Sequence, residues 1–159
     1  MCSIKLGGLT LASRPPILFV RLLYMNFKDL LKELDTLDLP KDQYAITSSG
    51  PLAVRKIREA HDIDLVVTSK LWETLKQKYP IKEMELCDSI QIGNTEILGN
   101  FRGEGLFTSE DQINQADVID GHRYVSLEMI IAFKKQLGRE KDKRDLELIE
   151  DYFAKTKQS

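Results

Sequence analysis

The chain has 159 residues, 42% hydrophobic and 30% charged, with 23 basic against 25 acidic residues and a net charge of −2. A chain of this length closes one sizeable hydrophobic core, and its composition excludes fibrous, low-complexity and disordered classes. Because it is nearly neutral, its overall charge gives no reason to expect non-specific attraction to RNA or to a membrane, and no strong basic patch is evident, although a local one is an open alternative.

Two cysteines, Cys2 and Cys87, form neither a C-x-x-C pair nor a disulfide framework, which predicts a reducing, cytoplasmic location. Residues 17–24 are apolar but broken by Arg21, too short to span a bilayer and unlike a signal peptide. Because a clean amphipathic segment opens at Met25, we interpret residues 1–24 as a non-native or disordered extension and residues 25–159 as one domain. An extra strand or a loose tail is the alternative.

The first elements follow from hydrophobic spacing and turn residues. Apolar residues at three- and four-residue spacing predict a surface helix over residues 26–38. Residues 44–47 favour a short strand, and the turn Ser48-Ser49-Gly50-Pro51 precedes a helix predicted over residues 52–59.

The next segment, residues 62–67, alternates polar and apolar before becoming fully apolar, which predicts a strand. Its period of two places Asp62 and Asp64 on the same face. Ser69 is a candidate N-cap for a third helix that Pro80 closes. Gly93-Asn94-Thr95 separates two further strands and predicts a hairpin.

The last third of the chain predicts a short helix or ordered loop over residues 109–116 and a second hairpin over residues 118–124. A helix beginning at Ser126 should stop at Gly138, and a final helix should start near Asp142. The fold class is therefore predicted as mixed α/β (α+β), a small mixed sheet flanked by helices with further helices at the C-terminal end.

Asp62 and Asp64 follow a small-residue turn and a helix, and an oxygen-rich site of this kind suits Mg²⁺ or Mn²⁺. Backbone N–H groups of the turn Ser48-Ser49-Gly50 and the following helix N-terminus could bind phosphate oxygens. Arg55 and Arg58 lie between these elements, where a guanidinium could bind phosphate. The alternative is a solvated basic face pairing with Glu59 or Asp62.

These residues resemble the signature of the polymerase-β-type nucleotidyltransferase superfamily: a hydrophobic strand, a Gly-Ser or Gly-Gly pair, a helix and a strand bearing Asp-x-Asp. The run from Val125 to Leu146 is similar to the closing helices of small bacterial nucleotidyltransferase-like proteins, including abortive-infection type toxins. The resemblance covers most of residues 25–153 and implies the nucleotidyltransferase fold.

In such enzymes the Asp pair binds two metals that bridge the nucleotide phosphates, and a third carboxylate completes the site. The resemblance implies that Asp62, Asp64 and Glu96 are the catalytic and metal-binding acids, with Glu104 as the alternative third acid. It also implies that Lys134 and Asp145 contact the nucleotide. A helix-start network of Lys141, Asp142 and Asp145 is the alternative to that role.

One departure from the family pattern is Ser48, which stands where the pattern begins with glycine and which could crowd the phosphates. His61 and His122 are candidate proton-transfer groups, and the sequence identifies no partner for either. Trp72 is expected in the core.

The leading functional hypothesis is a metal-dependent transferase that moves NMP from an NTP such as ATP to an acceptor hydroxyl on a small molecule, a tRNA or a protein. The alternative is a catalytically weak or inactive nucleotide-binding protein, or one half of a toxin–antitoxin pair with an antitoxin-like partner protein.

Overall fold

The computed structural model describes residues 25–158, together with the backbone of residues 5–6 and 9–10. Apart from these two pairs of residues, the segment 1–24 lies outside the described part, and its interpretation as an extension stays a prediction. Within that part, no helix combines the length and the apolarity needed to cross a membrane. The protein is a mixed α/β structure, as the sequence predicts, with a seven-stranded mixed sheet.

The described elements are six helices and nine strands in mixed order. The helices are α1 (Phe27–Thr36), α2 (Gly50–Ala53), α3 (Ser69–Leu75), α4 (Ser109–Asn114), α5 (Leu127–Leu137) and α6 (Glu140–Thr156). The strands are β1 (Lys5–Leu6), β2 (Leu9–Thr10), β3 (Tyr44–Thr47), β4 (Ile63–Val67), β5 (Lys82–Glu83), β6 (Asp88–Ile92), β7 (Thr95–Gly99), β8 (Asp117–Ile119) and β9 (His122–Tyr124).

The seven-stranded sheet has the order β5-β6-β7-β4-β3-β9-β8, and β1 pairs with β2 separately. At its centre, β4 runs antiparallel to β3 and parallel to β7. Both predicted hairpins are present, as β6–β7 and β8–β9. The antiparallel pairing of β3 with β4 places the end of β3 beside the start of β4.

Alternate residues of the strands point to opposite faces of the sheet, and each face buries a separate core. On one face, Ile63, Leu65 and Val67 pack with α1 and α3. On the other face, Val66 packs with Leu52 of α2 and with residues of α4, α5 and α6. Asp64 shares the parity of Val66, so it belongs to this second face.

Trp72 lies in the first core, as predicted, and is 5% exposed. Its ring rests directly on Gly99 at the end of β7, where a Cβ atom would overlap the indole. Glycine is therefore required at this position by close packing, because β7 and α3 could not approach with any larger residue.

Helix boundaries follow from their capping residues. The side chain of Asn26 accepts from the backbone of Asp29 at 2.9 Å, and that of Ser126 from Met129 at 3.3 Å. Gly138 ends α5 with a left-handed φ of 61°, as the sequence predicts. The predicted N-cap Ser69 is wrong by one residue, because the Thr68 side chain accepts from Leu71 and caps α3.

The helix predicted over residues 52–59 is wrong in length. Helix α2 is a single turn, and Lys56 then adopts a positive φ of 59°. The amide of Ile57 donates to the carbonyl of Leu52 at 3.0 Å, and both side chains pack in the second core. Packing of these two apolar side chains reverses the chain after one turn. Because the dipole of a one-turn helix is small, the partial positive charge at the N-terminus of α2 is smaller than that of the predicted longer helix.

One further predicted boundary differs from the structure, and another agrees with it. The central strand begins at Ile63, so Asp62 lies just before it and is exposed. The final helix begins at Glu140, near Asp142 as predicted, and the backbone amide and side chain of Arg139 both contact the Asp142 carboxylate at its start.

Candidate functional site

The candidate site lies at the edge of the sheet where β3 ends and β4 begins. Thr47 pairs with Asp64 across the antiparallel strands, so the turn that starts at Ser48 is adjacent to the acidic pair. Glu96 pairs with Asp64 across the parallel strands β4 and β7. Directly paired residues project to the same face, so the sheet places Glu96 and the predicted phosphate-binding turn beside Asp64.

Asp64 is the central group of this site. Burial raises the pKa of its carboxyl from 3.8 to about 6, and the nearby negative charges of Asp62 and Glu96 act in the same direction. The hydroxyl of Ser48 donates to the carboxylate and opposes the rise, as does the positive charge of Lys141. With a pKa of about 6 the carboxyl is mostly ionised at pH 7, where a nearby cation would stabilise its buried negative charge.

One oxygen of Asp64 lacks a partner. Its Oδ1 atom is buried and accepts no hydrogen bond from any residue that the structure describes. A buried acceptor without a donor is costly, and such atoms are rare in folded proteins. A cation at this position would satisfy the Oδ1 atom and offset the repulsion from Asp62 and Glu96.

The donor set fits a hard divalent cation. Carboxylate oxygens of Asp62, Asp64 and Glu96 are the ligands that Mg²⁺ and Mn²⁺ take, with water and phosphate oxygens completing the coordination. Within residues 25–158, no group of three or more His, Cys, Asp or Glu side chains is drawn together as a preformed metal cluster. The features that fit a metal here are the unpaired Oδ1 atom of Asp64 and the negative charges of Asp62, Asp64 and Glu96.

The turn after β3 carries the three predicted phosphate-binding residues. Ser48 has a φ of 56°, a left-handed conformation in which glycine is favoured. Ser49 precedes α2, and Gly50 is the first residue of that helix and is buried. A Cβ atom at Gly50 would overlap the side chain of Ile46, so its glycine is needed for close packing of α2 on β3.

Two substitutions at Ser48 should separate the backbone conformation from the hydroxyl. Ser48→Gly relieves the left-handed strain, whereas Ser48→Ala keeps the strain, and both lose the hydrogen bond to Asp64. We expect Ser48→Gly to be about 1 kcal/mol more stable than Ser48→Ala in urea denaturation. Both should raise the pKa of the Asp64 carboxyl, measured by carbon-13 NMR titration. Equal stabilities would contradict the strained turn.

Arg55, a predicted nucleotide-binding residue, is held by other groups. Its guanidinium donates to the carbonyl of Pro51 at 2.9 Å and to the carboxylate of Asp117 at 2.7 Å. Its side chain is only 13% exposed. The carboxylate partner is thus Asp117 of β8, and the pairing with Glu59 or Asp62 suggested by the sequence is wrong.

Arg58, Lys134 and Asp145 are brought together on the helical side of the fold. Arg58 donates to both oxygens of Asp145 at 2.7 and 3.0 Å, and the ammonium of Lys134 lies 2.8 Å from Asp145. Lys134 also lies 3.5 Å from Asp142, which Arg139 contacts at 2.6 Å. These five charged side chains, residues 58, 134, 139, 142 and 145, are called the buried charge network below.

The pKa values of both aspartates in the buried charge network are lowered. Burial raises the pKa of Asp145, but hydrogen bonds from Arg58 and Lys134 outweigh it. The hydrogen bond from Arg139 lowers the pKa of Asp142. The network therefore pairs each buried carboxylate with two cations. This agrees with the alternative interpretation, in which Asp142 and Asp145 belong to a network of charges that supports the core. Lys141, which that interpretation included, is not among the partners.

Lys141 has a neighbour that the sequence did not predict. The sequence suggested it as part of a helix-start network, yet its charge acts on Asp64. Its exposed ammonium stands at the start of α6, in the neighbourhood of the acids. No local sequence pattern could have shown this, because the proximity arises from the packing of α6 against the sheet.

The remaining candidates are the two histidines and the alternative third acid. His122 is buried and its Nε2 atom lies 2.8 Å from Asp35 of α1, a partner that the sequence did not identify. His61 is exposed next to Asp62. Glu104, the alternative third acid, is exposed in the loop between β7 and α4, whereas Glu96 is paired directly with Asp64.

Comparison with family models, with curated proteins and with solved structures finds no match to this chain. The functional interpretation therefore depends on the geometry and electrostatics of the residues around Asp64.

Proposed function

We propose that this protein is a metal-dependent nucleotidyltransferase, with the nucleotidyltransferase fold, that transfers NMP from an NTP to an acceptor hydroxyl. The observation that carries the proposal is the buried Oδ1 atom of Asp64, which accepts no hydrogen bond from the described residues and lies beside a tight turn, in a carboxylate whose pKa is raised by burial and by the charges of Asp62 and Glu96. Carboxylates that share a site with little compensating positive charge favour a divalent ion, and a phosphate-binding turn next to them favours a nucleotide.

Each group has a role in this proposal. Asp62, Asp64 and Glu96 would hold Mg²⁺ or Mn²⁺, which supplies charge neutralisation for the nucleotide phosphates. Backbone N–H groups of the turn from Ser48 to Gly50 would bind phosphate oxygens. The acceptor hydroxyl forms a bond to the α-phosphorus, pyrophosphate leaves, and the hydroxyl proton passes to the carboxylate of Glu96.

A second candidate function is nucleotide binding without efficient turnover, and one observation favours it. The cations predicted to contact phosphates, Arg55, Arg58 and Lys134, are all paired with carboxylates. A nucleotide would have to displace these pairs or rely on Lys141. A role in a toxin–antitoxin pair, a cytoplasmic location and an antitoxin-like partner stay predictions from the sequence.

Isothermal titration of the full chain with a non-hydrolysable ATP analogue, with and without Mg²⁺, tests the proposal. We expect Mg²⁺-dependent binding that weakens at least tenfold in Asp64→Asn, because the variant loses a charged metal ligand. Asp151→Asn, a neutralised exposed acid on α6, is the matched control and should bind as the wild type does.

Turnover is measured separately, as transfer of labelled phosphate from α-labelled ATP to a panel of acceptors. Transfer that is lost in Asp64→Asn supports the transferase. Mg²⁺-dependent binding with no transfer to any acceptor favours the second candidate. Binding that is equal with and without Mg²⁺, and equal in both variants, would refute a metal site at Asp64.

A further inference from the structure

Half of the sheet face that carries Asp64 is left uncovered by helices. The second core, which packs α2, α4, α5 and α6 on this face, contains no residue of β5, β6 or β7 among those described. Over these strands lies a groove of about 350 Å³, within the size range of small-molecule sites. The groove is lined by Pro80, Ile81, Lys82, Ser89, Gln91 and Glu96.

The strand register connects this groove to the candidate site. Lys82 pairs with Ser89 between β5 and β6, and Gln91 pairs with Glu96 between β6 and β7. Glu96 in turn pairs with Asp64. Paired residues project to one face, so a row of polar side chains runs from the sheet edge to the acid that we propose accepts the hydroxyl proton.

The two charged groups of the groove are uncommitted. Within residues 25–158, neither Lys82 nor Glu96 takes part in an ion pair or a side-chain hydrogen bond, in contrast to Arg55, Arg58 and Lys134. The amide nitrogen of Gln91 donates to the carbonyl of Gly93 at 2.9 Å, which fixes the side chain and leaves its carbonyl oxygen to accept. Pro80 and Ile81 supply an apolar wall.

We infer that the groove binds the acceptor and that the acceptor is a small phosphorylated sugar. Its phosphate pairs with Lys82, the cation of the groove, and its carbon skeleton lies against Pro80 and Ile81. Hydroxyl groups bind Ser89 and Gln91, and the reacting hydroxyl lies at Glu96. Neighbouring strands are about 4.8 Å apart, and the partners of Lys82 and Glu96 on β6 are two residues apart along the strand. The Cα atoms of Lys82 and Glu96 are therefore roughly 12 Å apart, a span suited to a pentose or hexose phosphate that the long side chain of Lys82 reaches.

This inference rests on the proposed transferase function for its chemistry. The sugar oxygen forms a bond to the α-phosphorus of the NTP, the bond between that phosphorus and the pyrophosphate oxygen breaks, and the proton passes to Glu96. Acceptor binding itself needs neither NTP nor metal, so it is measurable alone.

The test is NMR titration of the nitrogen-15-labelled full chain with ribose 5-phosphate, without NTP or metal, beside ribose alone and inorganic phosphate alone. We expect ribose 5-phosphate to shift the amides of Lys82, Ser89 and Gln91 and to bind at least tenfold more tightly than either fragment. Lys82→Ala should weaken binding about tenfold, because it removes the phosphate partner.

Lys70→Ala is the matched control, since Lys70 is an exposed lysine on α3 outside the groove, and it should bind as the wild type does. Dispersed amide spectra show that each variant is folded. If ribose 5-phosphate shifts no amide in the groove, or if Lys82→Ala and Lys70→Ala lose affinity equally, the acceptor assignment is overturned. This holds even if NTP binding depends on Asp64. Groove binding followed by no transfer would leave the groove assignment intact and count against the transferase.

Discussion

Replacing Asp64 with asparagine should make the protein more stable at pH 7 while removing its metal site. The folded-state pKa of about 6 lies above the ordinary 3.8, so the ionised carboxylate destabilises the fold at neutral pH. That difference corresponds to at most roughly 3 kcal/mol, and we expect a gain of about 1 to 3 kcal/mol in the free energy of unfolding. Asparagine keeps the acceptor for Ser48 and adds an amide that can donate to Asp62 or Glu96.

The pH dependence of the stability gain in Asp64→Asn shows whether the gain comes from removing a buried charge. An acid whose folded-state pKa is raised contributes stability that is present below the unfolded pKa and is lost as pH rises through the folded pKa. The advantage of Asp64→Asn should therefore be absent near pH 4, grow as pH rises through about 6 and be constant above pH 7. Urea denaturation across this range measures it, with Asp151→Asn as the control. A gain independent of pH would contradict the burial of a charged Asp64.

Lys134→Met should cause a larger loss of stability than any of the other substitutions proposed for this protein. Lys134 is 8% exposed and contacts Asp142 and Asp145, which are 0% and 5% exposed. Removing one partner of a buried ion pair leaves charge uncompensated and typically costs about 3 to 5 kcal/mol. Each aspartate keeps one arginine, so we expect a loss near the lower end of that range in urea denaturation.

The adjacent residue provides a matched control. Lys135 is exposed on α5, and Lys135→Met should change the free energy of unfolding by less than about 0.5 kcal/mol. If Lys134→Met is as stable as the wild type but binds the ATP analogue more weakly, Lys134 acts on the nucleotide, as the family resemblance implies. A large loss of stability would favour the structural role of the buried charge network.

Local patterns in the sequence predicted the elements of the second half of the chain well. Ser126 and Gly138 bound α5 because an oxygen side chain caps the first turn and glycine tolerates the left-handed stop. The hairpin at Gly93 followed from turn residues between alternating strands. These features depend on a few neighbouring residues, so a single sequence contains the information for them.

Features that depend on tertiary packing were not predictable in the same way. Helix α2 ends after one turn because Leu52 and Ile57 enter the same core, which no local pattern shows. The pairing of Asp64 with Glu96 was anticipated only through the family resemblance, since β4 and β7 are separated by α3 and two strands. The partners of Arg55 and Lys141 came from distant segments and were missed.

The contact between Trp72 and Gly99 also has a practical use. Trp72 is the single tryptophan of the chain, and its indole lies in the core against the end of β7. Its emission should be shifted to short wavelength in the folded state and move to longer wavelength when the strand separates from α3. Intrinsic fluorescence therefore reports unfolding of the central sheet in every variant described above, without a label and from one known position.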